Sequence, residues 1–390
     1  MKLGPCLALL LSLVAAVPAP AAPQRPADDD QVLERLPVSA AERQLLSKLR
    51  SAVDTTPGFL EPALALARRY IQLGRVESDP RHFAHAEAIL KPWVRPEQLS
   101  PEAMVLRATI LQNRHDFKQA VDALHVALQH NPRLPQAWLT LAAVQEAQGN
   151  YPAALHSCLA LSRQASALIA AVCVNSALSL SGQAESAYRR LSALVQRARG
   201  DQEESLWLKG ILAELAERLG LSGQAQDWYE SALNGGRSTA YLKAAYADFL
   251  LAQNRPADVL TLLNGQTRAD PLLLRLTLAE QQSGDAGFGA HAETLRARFA
   301  AARARGDSTH QGDEARFALH VEHQPQRALV LAESNWNAQR EPRDAMILLE
   351  AALAAHRPEA ARPVLDFIRK TSLEDMRLQK LIKKIEANSL

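Results

Sequence analysis

The sequence predicts an all-α fold of stacked helix pairs, and three features of the 390-residue chain support this prediction. Two segments repeat each other at a spacing of 34 residues, so that Met104 aligns with Trp138 and Phe117 with Tyr151. Apolar residues recur at helical spacing almost throughout, and no segment shows the alternation typical of a β-strand. Pro132 closes the first of the two segments, because proline cannot continue a helical hydrogen-bond ladder.

The N-terminus has the features of a secretory signal. Lys2 provides a short positive region, Leu7 to Val17 form an apolar stretch too short to anchor in a bilayer, and residues 19–21 form an A-x-A cleavage motif. Cys6 precedes the apolar stretch and is therefore not placed as a lipoprotein cysteine. We expect residues 1–21 to be a signal peptide and the chain, cleaved near Ala21, to be periplasmic or secreted and bacterial.

Residues 22–38 are expected to form a flexible linker, because Pro, Ala and Asp dominate its first half and offer little to bury. Helical structure is expected from Ser39, which is a favourable N-cap with Glu42 three residues later. The helical solenoid is predicted over residues 39–269.

The clearest copy of the repeat covers residues 101–132. Its characteristic positions are Met104, Ala108, Phe117, Ala120, Leu124, Ala127 and Pro132. Small residues allow the two helices of a pair to approach, and large residues fill the remaining space. This pattern resembles the tetratricopeptide repeat family and departs from it at His115, where the family prefers glycine. The resemblance implies a right-handed α-solenoid that presents a binding surface rather than an active centre.

The next copy, from Gln136 to about Ala165, restores the glycine at Gly149. Weaker copies cover residues 57–95, 168–194, 205–234 and 238–264. The first of these carries an insertion, Arg75 to Pro80, in its predicted turn. This number of copies exceeds the roughly three repeats that such a stack needs for stability.

Residues 270–390 remain helical in pattern but leave the 34-residue spacing. Helices are predicted over residues 270–283, 288–305, 313–323, 325–340, 344–356, 358–370 and 373–387. We interpret them as degenerate repeats. The last one is a capping helix, because lysines alternate with its apolar residues and give it a polar outer face.

Cys158 and Cys173 remain after removal of a signal peptide, and both fall on predicted helices at similar distances from the turn near Ala165. In an oxidising compartment this arrangement predicts a disulfide that closes a loop of about 15 residues. The alternative is a pair of buried thiols. A redox-active pair is not favoured, because the sequence has no C-x-x-C motif.

Charge and motifs argue against several functional classes. The formal net charge of +2 favours neither nucleic acid nor a membrane surface, and no later segment is predicted to span a membrane. No P-loop, dinucleotide-binding, nucleophile-elbow or H-E-x-x-H motif occurs, so we predict neither an enzyme nor a bound cofactor. The pairs His82 with His85 and His320 with His323 have the i,i+3 spacing that can hold a metal ion, but neither has an evident third ligand.

A candidate partner-binding surface follows from the resemblance, which implies that the first helices of the pairs line a concave face. Its predicted residues are Glu102, Val105, Thr109, Gln112, Asn113, Gln136, Leu139, Ala143 and Glu146. Some members of the family clamp a terminal carboxylate with Lys, Asn and Arg on this face. The matching positions here include Thr140, Ile169 and Cys173, so that clamp is absent.

Three functional hypotheses remain. The first is a non-catalytic periplasmic scaffold or adaptor, a monomer or weak dimer, that binds a protein or peptide partner in the cell envelope. The second is an accessory of an envelope polysaccharide or cell-wall system, which requires its tryptophans to line the concave face. The third is a metal-handling protein that uses the histidine pairs.

Overall fold

The computed structural model describes residues 39–195, 202–235, 238–307 and 309–388, and all regular secondary structure within these ranges is helical. The predicted all-α class is therefore confirmed. The predicted signal peptide and the predicted linker lie outside the described residues. Residues 1–47 and 48–390 are separate contact units, and the contacts below concern the second unit.

Twenty α-helices follow one another along these ranges. They are α1 (Ala40–Thr55), α2 (Leu60–Glu77), α3 (Pro80–Leu90), α4 (Pro101–Asn113), α5 (Phe117–His130), α6 (Pro135–Ala147), α7 (Tyr151–Leu161), α8 (Ala167–Ser179), α9 (Ala184–Val195), α10 (Gln202–Arg218), α11 (Ser222–Leu233), α12 (Ala240–Ala252), α13 (Pro256–Leu262), α14 (Asp270–Ser283), α15 (Phe288–Ala304), α16 (Gln311–His320), α17 (Pro325–Ala338), α18 (Pro342–Ala354), α19 (Arg362–Thr371) and α20 (Met376–Asn388). Short 3-10 helices cover Lys91–Val94, Pro96–Gln98 and Pro358–Ala361.

Consecutive helices pack as pairs from α2 with α3 to α16 with α17, and we name the first helix of each pair A and the second B. The A helices from α2 to α16 also pack on one another in order along the chain, and α18 packs on α16 in the same way. This stacking is the solenoid predicted from the repeat.

Only part of the predicted insertion, Arg75 to Pro80, forms a turn. Helix α2 continues to Glu77, and the chain then reverses at Ser78, whose φ of 53° is left-handed. Asp79 caps α3 by accepting a hydrogen bond from the backbone N–H of Arg81. Arg75, Val76 and Glu77 therefore lengthen α2 by about one turn, and Ser78 and Asp79 connect it to α3.

The residues buried inside the best repeat, 101–132, are those that its pattern of small and large residues predicts. Ala108, Ala120 and Ala127 have no exposed surface, and Phe117 and Leu124 are buried beside them. Alanine at these positions lets the axes of α4 and α5 approach closely enough for the large side chains to fill the remaining space.

The C-terminal strap, residues 367–377, crosses the turns of three earlier pairs. Gly149, Gly182 and Gly220 all have positive φ, and each joins an A helix to its B helix. A Cβ atom at Gly149 would lie 2.6 Å from the ring of Phe367, and one at Gly220 would lie 2.5 Å from the Sδ of Met376. Ser372 approaches Gly182 in the same way.

The 34-residue pattern does not predict that the C-terminal strap packs against the turns of earlier pairs. The predicted helix over residues 358–370 divides into a 3-10 turn and α19, and the predicted helix over residues 373–387 starts at Met376 instead. The intervening residues form part of the strap. Among the helices of the described residues, none has the length and apolar character that crossing a bilayer requires.

Candidate functional site

The predicted groove residues lie on two successive A helices, α4 and α6, but they differ widely in exposure. Asn113 and Gln136 are exposed. The half-buried members are Glu102, Gln112, Leu139, Ala143 and Glu146. Several of their polar groups already have partners, since Ser100 donates a hydrogen bond to Glu102 at 3.0 Å and Gln136 donates one to Thr140 at 3.2 Å.

Val105 and Thr109 are not available to a partner. Val105 is 2% exposed within the core of the second pair, and Thr109 is 6% exposed with its hydroxyl donating to the Val105 carbonyl. Helix α4 packs between α2 and α6, and these neighbours cover the positions that the sequence assigned to an open face. In addition, α2 contacts α12, five pairs further along the chain.

Glu146 lies at a polar seam between α6 and the C-terminal helices. The Ser176 hydroxyl donates a hydrogen bond to its carboxylate at 3.1 Å. Burial raises the pKa of Glu146 to about 7, and the nearby Glu341 adds to this rise, while Ser176 and Arg218 oppose it. We call Glu146, Glu341 and Asp344 the carboxylate seam.

Asp344 is the most buried member of the seam, with 5% of its surface exposed. It accepts hydrogen bonds from Asn335 Nδ2 at 2.8 Å and from the backbone N–H of Glu341 at 2.9 Å. Burial raises its pKa, and the like charge of Glu341 raises it further. Sequence reasoning did not find this seam, because Glu146 and Asp344 are almost 200 residues apart.

A second buried polar cluster centres on Arg275 of α14, which is 4% exposed. Its guanidinium donates two hydrogen bonds of 2.9 Å to Asp248 and one of 2.6 Å to Asp313. Arg275, together with Arg316, holds the pKa of Asp248 well below its usual range although burial opposes this. The cluster joins α12, α14 and α16, and every charged group in it has a partner of opposite sign, so we interpret it as structural.

An apolar cleft of about 560 Å³ opens between the B helices α5 and α7. We call it the B-helix cleft. Its apolar walls are Leu128, Pro132, Trp138, Leu141 and Ala153. The volume lies in the range of sites that bind small molecules or the side chains of a partner.

The polar groups inside the B-helix cleft bind one another. Trp138 Nε1 donates to the carbonyl of Pro132 at 3.0 Å, and Ser157 donates to Gln145 at 2.7 Å. The deeper surface therefore offers mainly apolar contact to an incoming group. The exposed side chains of His125, Gln129 and His156 line the rim.

The tryptophans do not share one open face. Trp336 is 4% exposed and packs edge-on against Phe367, with ring centroids 5.2 Å apart. Trp228 is half-buried and donates a hydrogen bond to Tyr188, whereas Trp138 belongs to the B-helix cleft. The arrangement that the glycan hypothesis requires is therefore not formed by these three residues.

The histidine pairs have different surroundings. His82 is buried and its Nε2 lies 3.2 Å from Glu77 Oε2, while His85 is exposed and packs against the ring of Tyr70. Within the described residues, the group whose donor atoms lie within 4.8 Å of one another consists of Glu77, Asp79 and His82 and does not contain His85. His320 approaches Glu350 at 3.2 Å rather than sharing a group with His323.

A disulfide joins Cys158 of α7 to Cys173 of α8, with their Cα atoms 5.4 Å apart. Both residues are buried together with Ala142 and Leu161. The bridge ties the B helix of one pair to the A helix of the next, beside the B-helix cleft.

The comparisons with known proteins report likeness of fold only. The matching solved structures include the Rap protein complexed with competence and sporulation factor, at 13% identity over 89% of this chain and 94% of that one, with a TM-score of 0.47. A tetratricopeptide repeat protein from Parabacteroides merdae matches at 15% identity over 64% and 98% of the two chains, with a TM-score of 0.38.

The APC/C hetero-tetramer Cut9-Hcn1 matches at 12% identity and a TM-score of 0.42 over 79% of this chain, which spans about half, 52%, of that chain. No family model matches the sequence, and no curated protein matches it. At this level of identity and TM-score, the matches say nothing about what the chain binds.

Proposed function

We propose that the chain is a non-catalytic scaffold that holds a protein partner by inserting one of the partner's bulky apolar side chains into the B-helix cleft. The observation that carries this proposal is the cleft itself, an open apolar concavity whose internal polar groups are already paired. A bulky apolar side chain would gain about 1.5–3 kcal/mol from burial there. The imidazole and amide groups of His125, Gln129 and His156 would supply hydrogen bonds around it.

The A-helix face is the weaker candidate for the same function. Val105 and Thr109 are buried, and Glu146 faces the chain's own C-terminal helices. A partner would therefore have to displace existing contacts on that face, whereas the B-helix cleft is open without rearrangement.

The proposed setting is the bacterial cell envelope, with the chain acting as a periplasmic or secreted monomer or weak dimer. Two features support it, namely the signal-like residues 1–21 and the Cys158–Cys173 bridge, which an oxidising compartment preserves. Fusion of the N-terminal region to a reporter that is active only after export tests the location independently of binding.

Site-specific photocrosslinking in native cells tests the binding surface. A photoreactive residue at His156 or Gln129 should capture one protein partner, and the same residue at Leu159, which is exposed on α7 but does not line the cleft, should not. Ala153→Arg fills the cleft without removing core volume and should abolish capture at His156. Equal capture at His156 and Leu159, or capture that survives Ala153→Arg, would contradict the proposal.

A further inference from the structure

Three metal-binding side chains meet where α2 ends and α3 begins. Donor atoms of Glu77, Asp79 and His82 all lie within 4.8 Å of one another. The left-handed conformation of Ser78 reverses the chain there and brings Glu77 back toward the first turn of α3. His82 is 4% exposed and Asp79 is 8% exposed, so two of the three groups are fixed inside the protein rather than spread over its surface.

The imidazole of His82 is not fully satisfied by the protein. Its Nε2 lies 3.2 Å from Glu77 Oε2, but its Nδ1 is buried and has no hydrogen-bond partner. Leaving a buried polar atom unpaired costs about 1–3 kcal/mol. Nε2 is therefore the nitrogen that the ring presents to the carboxylates, and no second hydrogen bond through Nδ1 holds the ring in place.

From this geometry we infer that Glu77, Asp79 and His82 form a binding site for a divalent transition-metal ion of the Zn²⁺ type. One imidazole and two carboxylates are a donor set that suits such ions, and three protein ligands leave a fourth position for water. Ligand atoms around a tetrahedral Zn²⁺ are about 3.4 Å apart. His82 Nε2 and Glu77 Oε2 already lie 3.2 Å apart, and the Glu77 side chain, which is one-third exposed, has the freedom to adjust to a bound ion.

Arg81 is the competitor for this site. Its guanidinium donates to both carboxylate oxygens of Asp79, at 2.9 Å and 2.7 Å, and Arg268 lies 3.8 Å from the same carboxylate. The Arg81 side chain is 49% exposed, so it can swing into water when a metal ion takes its place. The backbone N–H of Arg81 keeps its hydrogen bond to Asp79 in either case.

The competition gives two substitutions with opposite effects. Arg81→Gln removes the competing cation and should tighten Zn²⁺ binding by roughly tenfold. His82→Gln removes the nitrogen donor and should abolish specific binding. His85→Gln is the matched control, since His85 is an exposed histidine on the same helix and does not belong to the cluster.

Titration calorimetry with Zn²⁺ at about pH 7.5, on the full chain carrying a tag without histidine, tests the inference. We expect one site in the parent and in His85→Gln, tighter binding in Arg81→Gln, and no saturable binding in His82→Gln or Glu77→Gln. Circular dichroism of each variant confirms that it is folded, and Glu77→Gln retains the buried imidazole in case His82→Gln unfolds.

Competition with Mg²⁺ distinguishes a site with a nitrogen ligand from a simple cluster of carboxylates, because Mg²⁺ prefers oxygen ligands. Mg²⁺ at the same concentration should not displace Zn²⁺. The inference is overturned if the parent binds no Zn²⁺, if His85→Gln loses as much binding as His82→Gln, or if Arg81→Gln binds no more tightly than the parent.

Discussion

The guanidinium of Arg377 donates a hydrogen bond of 2.6 Å to the carboxylate of Glu217, which lies 160 residues earlier in the chain. The same guanidinium also binds Asp375, whose side chain is fully buried, and Glu217 accepts a second hydrogen bond from Tyr229 at 2.9 Å. One arginine of the C-terminal strap therefore neutralises two carboxylates that the fold removes from water.

Replacement of Arg377 by Met is expected to lower the free energy of unfolding by about 3 kcal/mol, because Glu217 and Asp375 lose their shared cation. Urea denaturation followed by circular dichroism measures this change. Arg189→Met is the control. It breaks an exposed pair with Glu185 and should cost no more than about 0.5 kcal/mol. Similar losses in the two variants would show that the strap contact adds no stability.

Gly149→Ala should destabilise the protein by more than about 2 kcal/mol, because it adds a Cβ both at a positive φ and against the ring of Phe367. Gly265→Ala is the matched control, since its φ of 70° is nearly the same but nothing lies within 4 Å of the new Cβ. It should cost only about 1 kcal/mol of backbone strain. Thermal unfolding of both variants isolates the steric contribution, and Phe367→Leu should relieve part of the loss in Gly149→Ala.

The carboxylate seam should make the protein less stable as pH rises through neutrality. The folded pKa of Glu146 is about 7, against an ordinary value of 4.5, so the folded state keeps a proton that the unfolded state has released. The contribution of Glu146 to the free energy of unfolding is fully present below about pH 4.5 and is lost as pH rises to about 7. The raised pKa of Asp344 extends the loss in the same direction.

Urea unfolding of the parent and of Glu146→Gln across this range of pH measures the effect. The variant carries a neutral side chain at every pH, so its free energy of unfolding should fall less steeply between about pH 4.5 and 7 than that of the parent. Parallel pH profiles for the two proteins would show that Glu146 ionises normally in the folded state.

The Cys158–Cys173 bridge closes a loop with a sequence separation of 15 residues. Replacing both cysteines by Ala is expected to lower the free energy of unfolding by about 3 kcal/mol, mainly by restoring freedom to the unfolded chain. The parent with and without a reducing agent provides an independent comparison. A reductant should destabilise the parent and leave the double variant unchanged. Equal sensitivity to reductant in both proteins would rule out the bridge as the cause.

The local part of the fold was predictable from the sequence because it depends on neighbouring residues. Ala108, Phe117 and Ala120 are buried where the repeat places them, and α14 has the predicted bounds, Asp270–Ser283. Short-range packing of one helix on the next leaves a periodic signal in residue type. The turn at His115 also lies where the repeat places it, although a residue other than glycine adopts a left-handed φ of 58° there.

The candidate sites were less predictable because they depend on contacts between distant segments. Val105 has the sequence position of a groove residue, but its exposure is decided by how tightly α2 and α6 pack on α4. Trp138 occupies the repeat position of the buried Met104, but it is only half-buried and lines the B-helix cleft. Glu77 and Asp79 could have been found as partners of His82 only if the insertion had been interpreted as a longer helix with a reversal at Ser78.

The strap also has a consequence for the order in which the chain completes its structure. In an array where each repeat touches only its neighbours, early repeats finish folding before later ones are made. Here Gly149, Gly182 and Gly220 contact residues 367–377, which are synthesised long after them. The middle pairs therefore remain incomplete until the strap has been made. We expect unfolding to occur in one cooperative step, and C-terminally truncated chains to be sensitive to proteolysis near these turns.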